Sequence, residues 1–146
     1  MYAATIELDF CYGHRLLDYA GKCMHPHGHN GRVQIELQAA ALDHRGMVHD
    51  FGDVKAAIKD WVDKELDHKM ILRRDDPILP LLQRMGEPCF VMDANPTAEA
   101  LARLVFQHAA GQGFPVTSVR FWETPTSFAT YNESAGKAEE AGRPGG

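Results

Sequence analysis

The periodicities of this chain predict an α+β fold: a four-stranded antiparallel sheet with two helices packed on one face. Three observations carry the prediction. Apolar and polar residues alternate strictly near the N-terminus and again from Val33, two apolar stripes of helical period occupy the middle, and two strand-like runs flank Thr124-Pro125-Thr126. The order is strand, strand, helix, helix, strand, strand (ββααββ).

From Tyr2 to Cys11, Ile6, Leu8 and Phe10 alternate with Thr5, Glu7 and Asp9, the pattern of a half-buried strand. From Val33 to about Ala41, Val33, Ile35, Leu37 and Ala39 share one face and Gln34, Glu36 and Gln38 the other. Between Asp53 and Leu66 the residues Val54, Ala57, Ile58, Trp61 and Val62 fall on one helical stripe, with Asp50 or Asp53 able to cap the first turn. The second helix spans about Thr97 to Ala110, introduced by Asn95-Pro96, with Glu99 near the positive end of its dipole and Gly111 as its stop. Val116 to Glu123 and Ser127 to Tyr131 complete the four strands. The intervening Ile71 to Asp93, with Pro77, Pro80 and Pro88, reads as a loop holding at most a short helical or extended piece. Residues 1–133 form one domain, and 134–146, poor in large apolar groups, read as a disordered tail. Such a sheet leaves both edges needing cover, for which oligomerisation is the natural remedy.

Composition narrows the function classes. With 146 residues, 45% apolar and 24% charged, the chain is an ordinary soluble domain. A net charge of -5 argues against general affinity for nucleic acid and favours small substrates. Three cysteines form no disulfide framework, the N-terminus opens on a strand instead of a signal peptide, and no run is long enough to cross a bilayer. A cytoplasmic setting without membrane contact is the expectation.

The chemistry concentrates in Cys23-Met24-His25-Pro26-His27-Gly28-His29, shortly after His14. In an extended segment, residues two apart face the same side, so His27 and His29 can grip one ion, and His14 can complete a three-histidine face. Three neutral ligands leave one position of tetrahedral zinc open, as catalytic zinc requires. Cys23 can be a fourth ligand, a small buried hydrophobe or a reactive thiolate beside the cation. His25, His44, His49 and His108 read as surface or hydrogen-bonded residues. Asp67-His68 reads alone as a charge pair at a helix end, or else as a proton relay. Glu123 is either a solvated strand-end carboxylate or an acceptor for the N–H/NH2 edge of a heterocycle.

Taken in order, Phe10-x-x-x-His14-Arg15, Cys23-x-x-x-His27-Gly28-His29, Leu66-Asp67-His68, Asn95-Pro96-Thr97-Ala98-Glu99 and Glu123-Thr124 resemble the 6-pyruvoyltetrahydropterin and 6-carboxytetrahydropterin synthase family from about Tyr2 to Tyr131. The resemblance implies a tunnelling fold, in which subunit sheets join into a barrel and two trimers stack as a homohexamer. It implies one zinc per subunit on His14, His27 and His29, with Cys23, Asp67 and His68 as the acid/base group, some of it donated by neighbouring subunits. It places Glu123, Thr97 and Thr124 at the substrate, 7,8-dihydroneopterin triphosphate. The bacterial carboxy-forming reaction, which releases acetaldehyde and triphosphate and supplies queuosine synthesis, is the expectation; the pyruvoyl-forming reaction is the alternative. Two features set the chain apart: Tyr12-Gly13 where members commonly carry small alanines, and a longer segment from Lys69 to Ala94. More remote readings are a noncatalytic zinc or pterin-binding module and, from Gly21 and His27-x-His29, a cupin-like metal oxygenase, which lacks its glutamate at Val33 and Gln34.

Overall fold

Alternation in the first strand continues past the run of β-branched and aromatic residues. In the computed structural model, which describes residues 1–133, β1 (Tyr2–His14) buries Ile6, Leu8, Phe10, Tyr12 and His14 and turns the intervening residues toward solvent. A 3₁₀ turn at Lys22–Met24 leads into β2 (His27–Ala39), whose Val33, Ile35 and Leu37 are fully buried. The two strands pair antiparallel over their whole length, from Tyr2 opposite Ala39 to His14 opposite His27. Both strands therefore extend through the histidines, so the His-x-His pair is part of the sheet rather than of a loop.

Helix α1 (Phe51–Glu65) starts where Asp50 accepts hydrogen bonds from the backbone N–H groups of Gly52 (2.7 Å) and Asp53 (3.2 Å), a cap worth about 1 kcal/mol. It buries Val54, Ile58 and Val62. Next come β3 (Lys69–Arg73), α2 (Leu79–Arg84), β4 (Cys89–Met92) and α3 (Ala98–Gly111). Helix α3 buries Leu101, Ala102, Val105, Phe106 and Ala109, and the chain ends with β5 (Val116–Thr124) and β6 (Ser127–Asn132). Gly111 is the last helical residue; the left-handed position that ends the segment is Gly113, at φ 90°.

The expected sheet needs correction. Among the described residues the sheet has six strands in the order β4-β3-β1-β2-β5-β6, not four, and there are three α-helices, not two. It is also mixed, because β3 runs parallel to β1 and β4 parallel to β3. The cause is physical. Strand β3 is only five residues long and buries both Ile71 and Leu72, so it lacks the alternation of a one-sided strand. Proline does not break the intervening helix because Pro80 sits in its first turn, where no intrahelical N–H is needed. A cupin-like β-barrel is not what this chain forms. The tail expected at 134–146 lies outside the described residues.

One core lies between the sheet and its helices, joining Ile6, Leu8 and Phe10 of β1, Val33, Ile35 and Leu37 of β2, and Phe121 of β5 to the buried faces of α1 and α3. Each fully buried aliphatic or aromatic side chain contributes roughly 1.5–3 kcal/mol. The same face of β1 and β2 that is apolar over most of its length carries the histidines at its end. Among the described residues, no helix is long and apolar enough to cross a membrane.

Candidate metal centre and substrate pocket

The β1/β2 register brings the three histidines together. His14 and His27 are direct partners, His29 is opposite Tyr12, and the three ring centroids are 4.5, 5.1 and 4.9 Å apart. One donor nitrogen from each ring lies within 4.8 Å of the others. The hydrogen bonds fix which nitrogen that is. The His14 Nδ1–H donates to the Pro96 carbonyl at 2.7 Å, and the His27 Nδ1–H to the His25 carbonyl at 2.7 Å. Both Nε2 atoms therefore carry lone pairs, and they face each other at 3.0 Å. The Nε2 of His29 is buried with no partner among the described residues. Two opposed lone pairs repel unless a cation lies between them, the third ring nitrogen is orphaned, and an imidazole whose other nitrogen is held by a carbonyl is the usual metal ligand. The residues fit a metal ion.

Electrostatics agree. Burial, with some opposition from the Pro96 hydrogen bond and further help from the other two imidazoles, pushes His14 down to about 4. Burial also lowers His29, against the pull of the Glu123 charge. Neutral imidazoles are the form that binds metal.

The backbone around the cluster is tied down from several directions. Asn95 clamps Leu17, its Oδ1 accepting from the Leu17 N–H at 3.0 Å and its Nδ2 donating to the Leu17 carbonyl at 2.8 Å. That clamp holds Pro96 beneath His14. Arg15 forks onto Asp76, with Nε donating at 2.8 Å and an NH2 group to the other oxygen. The Asp76 side chain is fully buried. Burial alone would raise its pKa, but hydrogen bonds from Arg15 and from the Ile78 N–H hold it below the ordinary 3.8. Asn95 and Asp76 were missed as positioning residues in the sequence, which reads them only as a helix leader and part of an acidic loop.

A cavity of about 220 Å³ opens beside His14 and is lined by Cys23, Thr97, Glu123 and Phe128, among others. Cys23 reaches it from the 3₁₀ turn, which the Leu16 N–H holds by donating to the Cys23 carbonyl at 2.8 Å. Cys23 does not join the close donor group, which comprises the three histidines. A Glu123 carboxylate oxygen lies 3.9 Å from His14 Nε2. Thr97 caps α3, its hydroxyl oxygen accepting from the Ala100 N–H at 3.1 Å, and keeps its own O–H free to donate.

Asp67, His68 and Thr124 are elsewhere. They line a groove of about 640 Å³ together with the outward residues of β1 and β2, Asp9, Cys11, Asn30 and Arg32, and with Trp122. The Asp67 carboxylate accepts from His68 Nδ1 at 2.9 Å and from the Cys11 N–H at 3.1 Å. Burial would raise that carboxyl, yet these hydrogen bonds keep it below its ordinary value. His68 has φ 58°, a left-handed conformation rare for a side-chain-bearing residue; its N–H donates to the Cys11 carbonyl at 2.7 Å, and its ring is 77% exposed. Within one chain, then, Cys23 and Glu123 share the metal pocket and the Asp67–His68 pair does not. Of the other histidines, His108 stacks on Trp61 with centroids 4.0 Å apart, and His44 is exposed.

Comparison with known proteins gives a consistent picture. Residues 3–134 match the family model described as 6-pyruvoyl tetrahydropterin synthase. The 6-carboxy-5,6,7,8-tetrahydropterin synthase of Rickettsia conorii is 35% identical over 135 residues, 88% of this chain and 98% of that protein. The protein of the same name from Haemophilus influenzae is 33% identical over 141 residues, 91% of this chain and all of that one. Among solved structures, an uncharacterised protein from Wolinella succinogenes superposes with a TM-score of 0.75 at 30% identity, covering 91% of this chain and 98% of that one. A 6-pyruvoyl tetrahydropterin synthase from Caenorhabditis elegans shares the fold, with a TM-score of 0.66 at 23% identity over 92% of this chain and 98% of that one.

Proposed function

Because the chain belongs to the 6-pyruvoyl tetrahydropterin synthase family, and so is a tetrahydropterin synthase, we propose that it converts 7,8-dihydroneopterin triphosphate to 6-carboxy-5,6,7,8-tetrahydropterin at a zinc site held by His14, His27 and His29. The names of its relatives from Rickettsia and Haemophilus support the carboxy product. The observation that carries the site is the convergence of three imidazole lone pairs beside a cavity lined by both a thiol and a carboxylate. Release of acetaldehyde and triphosphate and a role in queuosine synthesis belong to the same proposal, as does a cytoplasmic setting, supported by three unpaired cysteines.

Bound to the three imidazoles, zinc supplies Lewis acidity toward the oxygens of the substrate side chain. Glu123 accepts hydrogen bonds from the pterin 2-amino and ring N–H groups, fixing the heterocycle so that its side chain lies over the histidines. Thr97, with its lone pair used by the helix cap, donates its O–H to the ligand. Cys23 Sγ takes and returns the proton at the reacting side-chain carbon, where a thiolate is both basic and polarisable. Asp67 and His68 relay that proton, and because their groove is separate from the metal pocket of the same chain, a neighbouring subunit donates them. Thr124 enters the site by the same route. A homohexamer of two stacked trimers is the assembly proposed, supported by the edge strands β4 and β6, each paired on one side only among the described residues.

The test is to incubate zinc-loaded and metal-free protein with 7,8-dihydroneopterin triphosphate and identify products by mass spectrometry. Zinc-dependent 6-carboxytetrahydropterin with acetaldehyde is the expected result. The family model's own name favours one other reading, and 6-pyruvoyltetrahydropterin as product would establish it instead. Bound metal without turnover would leave a noncatalytic pterin-binding module.

A further inference from the structure

Tyr12 is an oddity of this chain, a large phenol in a strand position next to the metal pocket. It is 3% exposed, its hydroxyl is fully buried, and that hydroxyl has no hydrogen-bond partner among the described residues. Buried tyrosine hydroxyls normally find one, since leaving the group unpaired costs much of its hydration. The ring packs edge-on to His14 and tilted against His29, with centroids 5.2 and 5.7 Å away. It also leans across Gly31 of the neighbouring strand. A Cβ at Gly31 would lie 3.0 Å from ring carbons of both Tyr12 and Phe121, so glycine at 31 is what lets the ring cross. Arg32 pairs with Trp122 in the β2/β5 ladder, and the next residues along these two antiparallel strands are Gly31 and Glu123. The phenol is thus directed over Gly31 toward the strand position that carries Glu123. His29 Nε2 is taken up in the convergent group of histidine nitrogens, so the Glu123 carboxylate, 3.9 Å from His14 Nε2, is the acceptor to consider.

We propose that Tyr12 is a positioning residue for Glu123: its hydroxyl donates a hydrogen bond to the Glu123 carboxylate when a pterin is bound and holds the carboxylate with its free lone pairs facing the ligand. The inference rests on Glu123 as the pterin anchor. Glycine at 31 and tyrosine at 12 form a matched pair, one making the space that the other fills.

The experiment is a double-mutant cycle of Tyr12→Phe and Glu123→Gln on the full chain, read by fluorescence titration with neopterin, alongside metal content and thermal midpoint. Tyr12→Phe keeps the ring and removes only the unpaired hydroxyl, so the thermal midpoint holds or rises and metal content is unchanged. Loss of a hydrogen bond to a charged group should nevertheless weaken neopterin binding roughly tenfold. The loss should vanish in the Glu123→Gln background, because the carboxylate it served is gone. Unchanged affinity in Tyr12→Phe, or losses that simply add, would overturn the positioning role while leaving Glu123 as anchor. If Glu123→Gln itself leaves neopterin affinity intact, the anchor reading fails and this inference with it.

Discussion

At the scale of single residues, the proposed site divides labour between groups that would hold an ion and groups that would hold a ligand. His29 Nε2 has no other partner in the fold, so His29→Ala should abolish metal binding and turnover together while far-UV circular dichroism stays native; metal analysis by mass spectrometry checks it, and full metal occupancy in the variant would refute the three-histidine assignment. Glu123 is 3.9 Å from His14 Nε2 but outside the close donor group. Glu123→Gln should therefore keep its metal while losing roughly 10- to 100-fold in pterin affinity, the worth of hydrogen bonds to a charged acceptor. Metal loss in that variant would make Glu123 a ligand. The histidines were legible because period-two spacing maps directly onto one face of a strand. The Pro96 carbonyl that orients His14 was not, since a backbone acceptor carries no side-chain signature.

Elements hold these residues in place, and their legibility followed the length of their patterns. Strands β1, β2, β5 and β6 and helices α1 and α3 were readable from alternation or helical stripes, although β1 and β2 run further into the histidine segment than their apolar residues indicate. The β3–α2–β4 excursion was hidden, because a short parallel strand covered on both faces has no period to detect and three prolines disguise its connections. Its importance shows at Asp76, which ties the turn after β3 to Arg15, the residue following His14. Removing one partner of a buried ion pair typically costs about 3–5 kcal/mol, and Asp76→Ala should approach that figure in urea unfolding at neutral pH. Because the folded carboxyl lies below its ordinary value, the contribution is complete above pH ~3.8 and is lost as pH falls through the folded pKa. The gap between wild type and variant should accordingly close in acid. A gap that stayed unchanged however far the pH fell below the ordinary carboxyl value would mean that packing, not charge, accounts for the loss.

On the scale of the whole molecule, one chain presents two separate cavities: one beside the histidines with Cys23 and Glu123, and a groove with the strained His68, its partner Asp67 and Thr124. On the proposed function, a relay is useless to a proton it cannot reach, and the acid/base group would be completed by assembly. The edge strands would provide the means, since among the described residues β4 and β6 are each paired on one side only. Sequence alone could propose the members of the group but not their separation within one chain, because separation arises from which face of the sheet each strand turn presents. The consequence is testable by complementation. Cys23→Ala and His68→Ala are each expected to be inactive with metal retained. Co-refolded in equal amounts, they should recover activity at about a quarter of the wild-type sites, since random mixing lets an intact thiol meet an intact relay from a different subunit with that frequency. Activity absent from mixed oligomers whose formation is verified by native mass spectrometry would place both groups in one chain's site and overturn the shared architecture.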